Sequence, residues 1–230
     1  MMIRKIWRAL LSELAELPLL LIRNFPGRTG VILRRIYWRA RLAHLGSGVI
    51  FGRNVQVTHP ADVSIADGCW IDDNVTLIAG APLERPGMKR EVENPLIEEG
   101  RLEIGERCHI GVGVVIQAHG GVRIGRHCGL ATGSLVYSLT HHYCNPDDPG
   151  DERRYVYSSL ADRELQFLLV GPVVLGEGAT LGLNAMVLPG THLGDYACVA
   201  SGSLRRGDAP AGAIIVGNPP RVVKRRAGFD

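Results

Sequence analysis

Residues 104–130 read IGERCHIGVGVVIQAHGGVRIGRHCGL. An aliphatic side chain returns in them every six positions, at Ile104, Ile110, Ile116 and Val122, and after a slip of two residues at Ile124 and Leu130. The same period runs upstream through Phe51 and Val57 and, after another slip of two, through Ile65, Ile71 and Leu77. Downstream it resumes at Leu175, Leu181, Val187, Leu193 and Val199. Glycine often follows the aliphatic residue, as at Gly52, Gly105, Gly111, Gly125, Gly176, Gly182 and Gly194. Four residues after many of the aliphatics stands a small one: Cys69, Val75, Cys108, Val114, Cys128, Ala179, Ala185 and Ala197.

A helix repeats about every 3.6 residues and a strand every two, so neither demands a period of six. The period fits a coil with three flat faces, each face being one short strand and one turn. The aliphatic residue fills the interior, the small residue packs beside it at the corner, and glycine is expected to permit the turn. The predicted class is therefore mainly β: a left-handed parallel β-helix of hexapeptide repeats. Four of the five cysteines, Cys69, Cys108, Cys128 and Cys198, are assigned to the small interior position as buried filler.

Composition agrees. Aromatics make up 6% of the 230 residues against 29 glycines and 13 prolines, which disfavours a helical bundle. Of the 26 Lys and Arg, nine stand in residues 1–45 and four in the last ten, leaving 13 against 20 acidic residues over 46–220. The body is thus acidic between two basic ends. Five scattered cysteines make no disulfide framework and no CxxC metal pair, which fits a reducing cytoplasm and a site without metal. The apolar stretch Leu17–Ile22 is short and ends at Arg23, so neither a signal peptide nor a spanning helix is expected.

Three segments depart from the repeat. Residues 79–101 and 138–168 read as loops extruded from the coils, and residues 1–45 as helical, with Ile3, Ile6, Trp7, Leu10, Leu11 and Leu14 on one face. A second, very basic helix is predicted from Val31 to Leu42. This N-terminal segment either lies on an anionic membrane surface or caps the first coil. The expected organisation is 1–45 helical, 46–220 β-helix and 221–230 a basic tail. A loop as long as 138–168 in a repeat protein marks function, and it holds His141-His142-Tyr143.

From Leu175 to Arg226 the chain resembles the C-terminal signature of hexapeptide-repeat acyltransferases, with Ala200-Ser201-Gly202, Asp208-Ala209-Pro210 and Gly217-Asn218-Pro219-Pro220-Arg221. Pro26-Gly27-Arg28-Thr29-Gly30 before a basic helix is similar to the lead-in of O-acetyltransferases acting on bacterial surface polysaccharides. The resemblance implies a homotrimer that transfers an acetyl group from acetyl-CoA to a sugar hydroxyl, with no nucleic-acid partner. It implies a loop histidine as general base, assigned to His141 with His142 as rival, since a neutral imidazole is suited to taking a hydroxyl proton. A carboxylate should orient that base, and Glu164 is named ahead of Asp162, Asp147 and Asp148. In maltose acetyltransferases a Glu stands four residues before the re-entry proline, a position occupied here by Leu168. For coenzyme A the resemblance implies Ala200 on the pantetheine arm and Arg206, Arg221 and Lys224 at the phosphates. His119 is read as a solvated turn residue. Alternatives are N-acylation of an amino-sugar nucleotide, O-acetylation of an antibiotic, or a non-catalytic scaffold. A three-histidine metal site lacks the spacing it would need.

Overall fold

The computed structural model describes residues 20–92 and 96–229. Three parallel sheets stack as the faces of a left-handed β-helix. The first face runs through His44–Leu45, Val63–Ile65, Leu102–Ile104, Val122–Ile124, Val173–Leu175 and His192–Leu193. The second begins at Ile50–Phe51 and Trp70–Ile71 and ends at Ala213–Val216 and Arg221–Arg225. The third runs through Gln56–Thr58, Thr76–Ile78, Val115–Gln117, Leu135–Tyr137, Met186–Val187 and Leu204–Arg205. The periodic aliphatics from Phe51 to Val199 are almost all buried along the axis, Val57 being only partly so. Each such side chain contributes roughly 1.5–3 kcal/mol on burial.

The register explains the slips. Val174 pairs with His192, 18 residues on, which is three hexads, but His44 pairs with Ser64 and Glu103 with Arg123, each 20 apart. The two extra residues enlarge one corner, between the third face and the first, at the 3-10 turn Pro60–Asp62 and at residues 118–121. Both long insertions leave from this same corner: residues 79–101 after Thr76–Ile78, and 138–172 after Leu135–Tyr137. Every irregularity of the repeat is stacked along one edge of the helix.

Two packing expectations need correction. The glycine after the aliphatic residue does not serve the turn. A Cβ on Gly105 would lie 2.7 Å from the Arg126 nitrogen, and one on Gly125 2.8 Å from the Gly176 carbonyl carbon, so glycine is required because the next coil's backbone approaches it. The left-handed turn residue comes two positions later and is often not glycine, as at Arg107 (φ 54°), His127 (φ 60°) and Tyr196 (φ 57°). Cys69, Cys108 and Cys128 do form an interior column, each thiol donating to a glycine carbonyl of the next coil: Gly105 (3.0 Å), Gly125 (3.0 Å) and Gly176 (3.1 Å). Cys198 does not belong to it. Ala197 takes the interior place, and Cys198, one residue further along a strand, turns to the other side and is half-buried.

The helix α1, Gly27–Arg39, closes the first coil. It begins four residues before the predicted Val31, directly after Pro26, and ends before Leu42. Trp38 packs on Phe51 with ring centroids 6.2 Å apart. The buried Arg34 donates to the Phe51 carbonyl (3.0 Å) and the Phe25 carbonyl (2.9 Å). One arginine of the basic run is therefore a structural clamp. The helical pattern over residues 3–14 lies outside the described residues. At the other end, Arg221–Arg225 turns back as a strand antiparallel to Ala213–Val216, covering the sheet edge where a tail was expected. Among the described residues no helix is long and apolar enough to cross a membrane.

Candidate active site

The site is built where the second insertion leaves the coil. Ser138, fully buried, donates through Oγ to the Gln117 carbonyl (2.7 Å) and accepts from the Gly120 nitrogen (2.8 Å). Gln117 Oε1 accepts from the Leu139 nitrogen (3.0 Å). The returning chain closes the neck, with the Gly171 nitrogen donating to the Ser138 carbonyl (3.0 Å). From this neck the strand Leu139–His141 runs antiparallel to Leu168–Val170, placing His141 opposite Leu168. Leu168–Val170 also pairs, in parallel, with Met88–Arg90 of the first insertion. The two insertions are thus one structure, tied further by the ion pair between Lys89 and Asp147 and the hydrogen bond from Arg85 to Gln166.

Between this small sheet and the corner of the β-helix lies a cavity of about 460 Å³. His141, His119, Arg85, Gln117 and Tyr157 line it. The His141 Nε2 is buried and has no hydrogen-bond partner among the described residues. Burial holds the imidazole below its ordinary pKa. Contact with the Gln166 amide opposes that shift, and the Arg85 guanidinium adds to it. The ring lines the cavity, and an imidazole whose pKa is held down gives up its own proton readily and can then act as a proton acceptor. His119, expected as a solvated turn, is part of this cavity, and its Nδ1 donates to the Gly80 carbonyl (2.6 Å).

Other expected residues lie elsewhere. His142 points its Nδ1 to within 2.8 Å of the Cys144 carbonyl, stacks on Tyr143 at 4.7 Å, and does not line the cavity. Glu164 is exposed on the 3-10 turn Arg163–Leu165 and forms no ion pair among the described residues. The group beside His141 is the fully buried Gln166, whose Oε1 accepts from Arg85 and whose Nε2 donates to the Ala161 carbonyl (2.5 Å). Asp162 is exposed, Asp147 is paired with Lys89, and Asp148 accepts from the Gly150 nitrogen.

The four residues assigned to coenzyme A are also separate from the cavity. Ala200 sits at a coil corner with its nitrogen donating to the Ile215 carbonyl (2.8 Å). Arg206 is already paired with Glu91 of the first insertion (2.8 Å). Arg221 and Lys224 are exposed on the last strand and form no ion pair among the described residues. Among the described residues no three His, Cys, Asp or Glu side chains converge to hold a metal ion.

Sequence reasoning did not single out Arg85 or Gln166. Neither belongs to a motif, and both lie where the period is lost. The available signal was the phase of the repeat, because both insertions and both slips fall at the same point of the coil.

Comparison with known proteins agrees with this architecture. The family model for the hexapeptide repeat of succinyl-transferase matches residues 101–138 and 172–204, the coils on either side of the second insertion. The chain is built of hexapeptide repeats and has the left-handed β-helix fold. Among individual proteins, it is 41% identical over 54 residues to YvoF of Bacillus subtilis (strain 168), covering 24% of this chain and 31% of that one. It is 39% identical over 54 residues to 2,3,4,5-tetrahydropyridine-2,6-dicarboxylate N-acetyltransferase of Staphylococcus aureus (strain JH9), covering 24% and 23%. The match thus spans a quarter to a third of these relatives' length. In fold, the chain superposes on AntD, an N-acyltransferase from Bacillus cereus solved with dTDP and coenzyme A, with TM-score 0.66 and 17% identity over 90% of this chain and 92% of that one. A maltose O-acetyltransferase from Clostridium difficile 630 gives TM-score 0.54 and 17% identity over 93% and 84%.

Proposed function

We propose that this protein is an acyltransferase that moves an acetyl group from acetyl-CoA to a sugar hydroxyl, with His141 as the general base. The observation that carries the reading is the His141 imidazole, held below its ordinary pKa by burial, lining a cavity that two insertions assemble on the β-helix. Bound acetyl-CoA supplies the activated thioester carbonyl. His141 takes the proton from the acceptor hydroxyl as that oxygen attacks, and returns it to the departing sulfur. Arg221 and Lys224, exposed cations without ion-pair partners among the described residues, fit the phosphates of coenzyme A. Arg206 fits less well, since Glu91 already neutralises it. In the oligomer we envisage, a trimer, a neighbouring copy brings such cations to the cavity.

The test is thioester cleavage by the purified protein against a panel of sugars. His141→Ala should abolish it, and no cleavage with any acceptor together with no coenzyme A binding would sink the proposal. The likeness to AntD favours one second reading, N-acylation of an amino-sugar nucleotide, and the panel should include one. Light scattering tests the trimer, and a monomer would remove it.

The N-terminal segment supports peripheral contact with the inner face of a membrane. On α1, Ile32 and Ile36 are exposed beside Arg28 and Arg39, and Leu20, Leu21 and Phe25 are exposed just before it. Five free cysteines fit the cytoplasmic side. Equal recovery with and without residues 1–45 in vesicle flotation would remove the membrane assignment.

A further inference from the structure

The cavity is unbalanced in charge. Arg85 lines it, and among the described residues no carboxylate does. Each described acidic residue of the first insertion is engaged by another cation: Glu84 and Glu99 by Arg90, Glu91 by Arg206, and Glu98 by Arg101. In the second insertion Asp147 pairs with Lys89 and Asp151 with Arg153, while Asp148, Glu152, Asp162 and Glu164 are exposed outside the cavity. Arg85 itself forms no ion pair among the described residues and donates only to Gln166 Oε1.

That one contact is enough to aim it. Gln166 is fully buried, and its amide is held from the other side by the Ala161 carbonyl. A guanidinium offers five N–H donors in a planar fork, and one anchoring bond leaves the rest for a ligand. A partly buried cation without a counter-ion is costly, and an incoming phosphate or carboxylate matches the fork with two parallel bonds.

We infer that the cavity takes an acidic acceptor, in which a phosphate or carboxylate pairs with Arg85 while a hydroxyl of the same molecule reaches His141. The inference rests on reading this cavity as the acceptor side of the transferase. It has a catalytic consequence. Burial holds the His141 imidazole down and Arg85 adds to it, and an oxyanion on Arg85 offsets that added charge. The base therefore strengthens when the correct acceptor arrives.

The test titrates the full-length protein with glucose 1-phosphate, glucuronate and glucose, following heat and the His141 ring signals. Both acids should bind and raise the His141 pKa, and glucose should do neither. Arg85→Gln should weaken the acids by about tenfold or more, the scale of a charge-assisted hydrogen bond, with coenzyme A titrating as in the wild type. If glucose binds as tightly as the acids, or Arg85→Gln binds the acids like wild type, the inference is overturned. Should Arg85→Gln fail to fold, salt decides on the wild type. Acid binding must then weaken between about 50 and 300 mM NaCl, and acid binding that does not change with salt overturns it. Tighter glucose 1-phosphate assigns the acid as a phosphate, and tighter glucuronate as a sugar acid. Acetyl transfer to neutral sugars without acid binding overturns the acidic acceptor alone. Acid binding without any thioester turnover instead overturns the transferase reading.

Discussion

His141 stands directly opposite Leu168 across the antiparallel pair that the second insertion forms at its neck. Leu168 is also four residues before Pro172, the place where maltose acetyltransferases carry a glutamate. An apolar side chain thus stands opposite the proposed base where those enzymes have a carboxylate. The group that reaches the ring comes from two residues earlier in the chain, the neutral amide of Gln166. An amide can orient an imidazole without stabilising its cation as a carboxylate would. Leu168→Glu should therefore raise the His141 pKa, read by NMR titration, at some cost in stability from burying a carboxyl. An unchanged titration would mean that the two side chains do not meet.

The acid limb of the pH–rate profile should report His141. With its pKa held below the ordinary value near 6.5, the imidazole stays neutral into mildly acidic solution, so kcat/KM should hold its plateau there and fall only at lower pH. Removing the Arg85 charge removes one of the two depressing causes. In Arg85→Gln the limb should move to higher pH, and a shift to lower pH would contradict the geometry.

Adjacent histidines give a direct comparison. His141→Ala should lower kcat by about 10²–10⁴-fold, the range for loss of a general base. His142→Ala should retain most activity, because that ring is committed to the Cys144 carbonyl and to Tyr143. The reverse pattern would exchange their roles.

The β-helix was legible because one residue type recurs at one phase, from Phe51 to Val199, and each return must face the same narrow axis. The placement of His141 at the neck of the loop was legible from its position just past the last regular strand, and its role as base is the proposal that the family resemblance suggested. Arg85 and Gln166 were not, because nothing periodic links two residues that lie 81 apart and touch only through the folding of both insertions. Glu164 illustrates the complementary error. Charge marked it as a partner for the base, but the 3-10 turn turns it outward and buries its neighbour Gln166 instead.

The cysteine column should be chemically silent. Contact with the Cys128 thiol and burial push the Cys108 thiol up to about 12, and contact with Cys108 together with burial pushes Cys69 up as well, while the same contact lowers Cys128, which burial alone shields. Thiols that stay protonated and buried do not react with alkylating agents. Iodoacetamide at neutral pH should modify at most two of the five cysteines, Cys144 and Cys198, until the protein is unfolded. Mass spectrometry of the native protein checks this, and early labelling of Cys108 would show that the interior opens.

The division of labour between the two turn positions can be tested in a single corner. At Gly105 a methyl group would press on the backbone of the next coil at 2.7 Å, and backbone cannot yield without separating the coils. Gly105→Ala should therefore destabilise the fold by about 1–3 kcal/mol through overpacking, lowering the unfolding midpoint. Two residues later the situation reverses. Arg107 adopts a φ of 54° with a side chain attached, a conformation that costs a non-glycine residue about 1 kcal/mol or more. Arg107→Gly relieves that strain but adds backbone freedom to the unfolded chain, so the two effects nearly cancel. Chemical denaturation of both variants should show a clear loss for Gly105→Ala and little change for Arg107→Gly. Were Arg107→Gly the more damaging, the glycine after each aliphatic residue would have to be a turn residue after all.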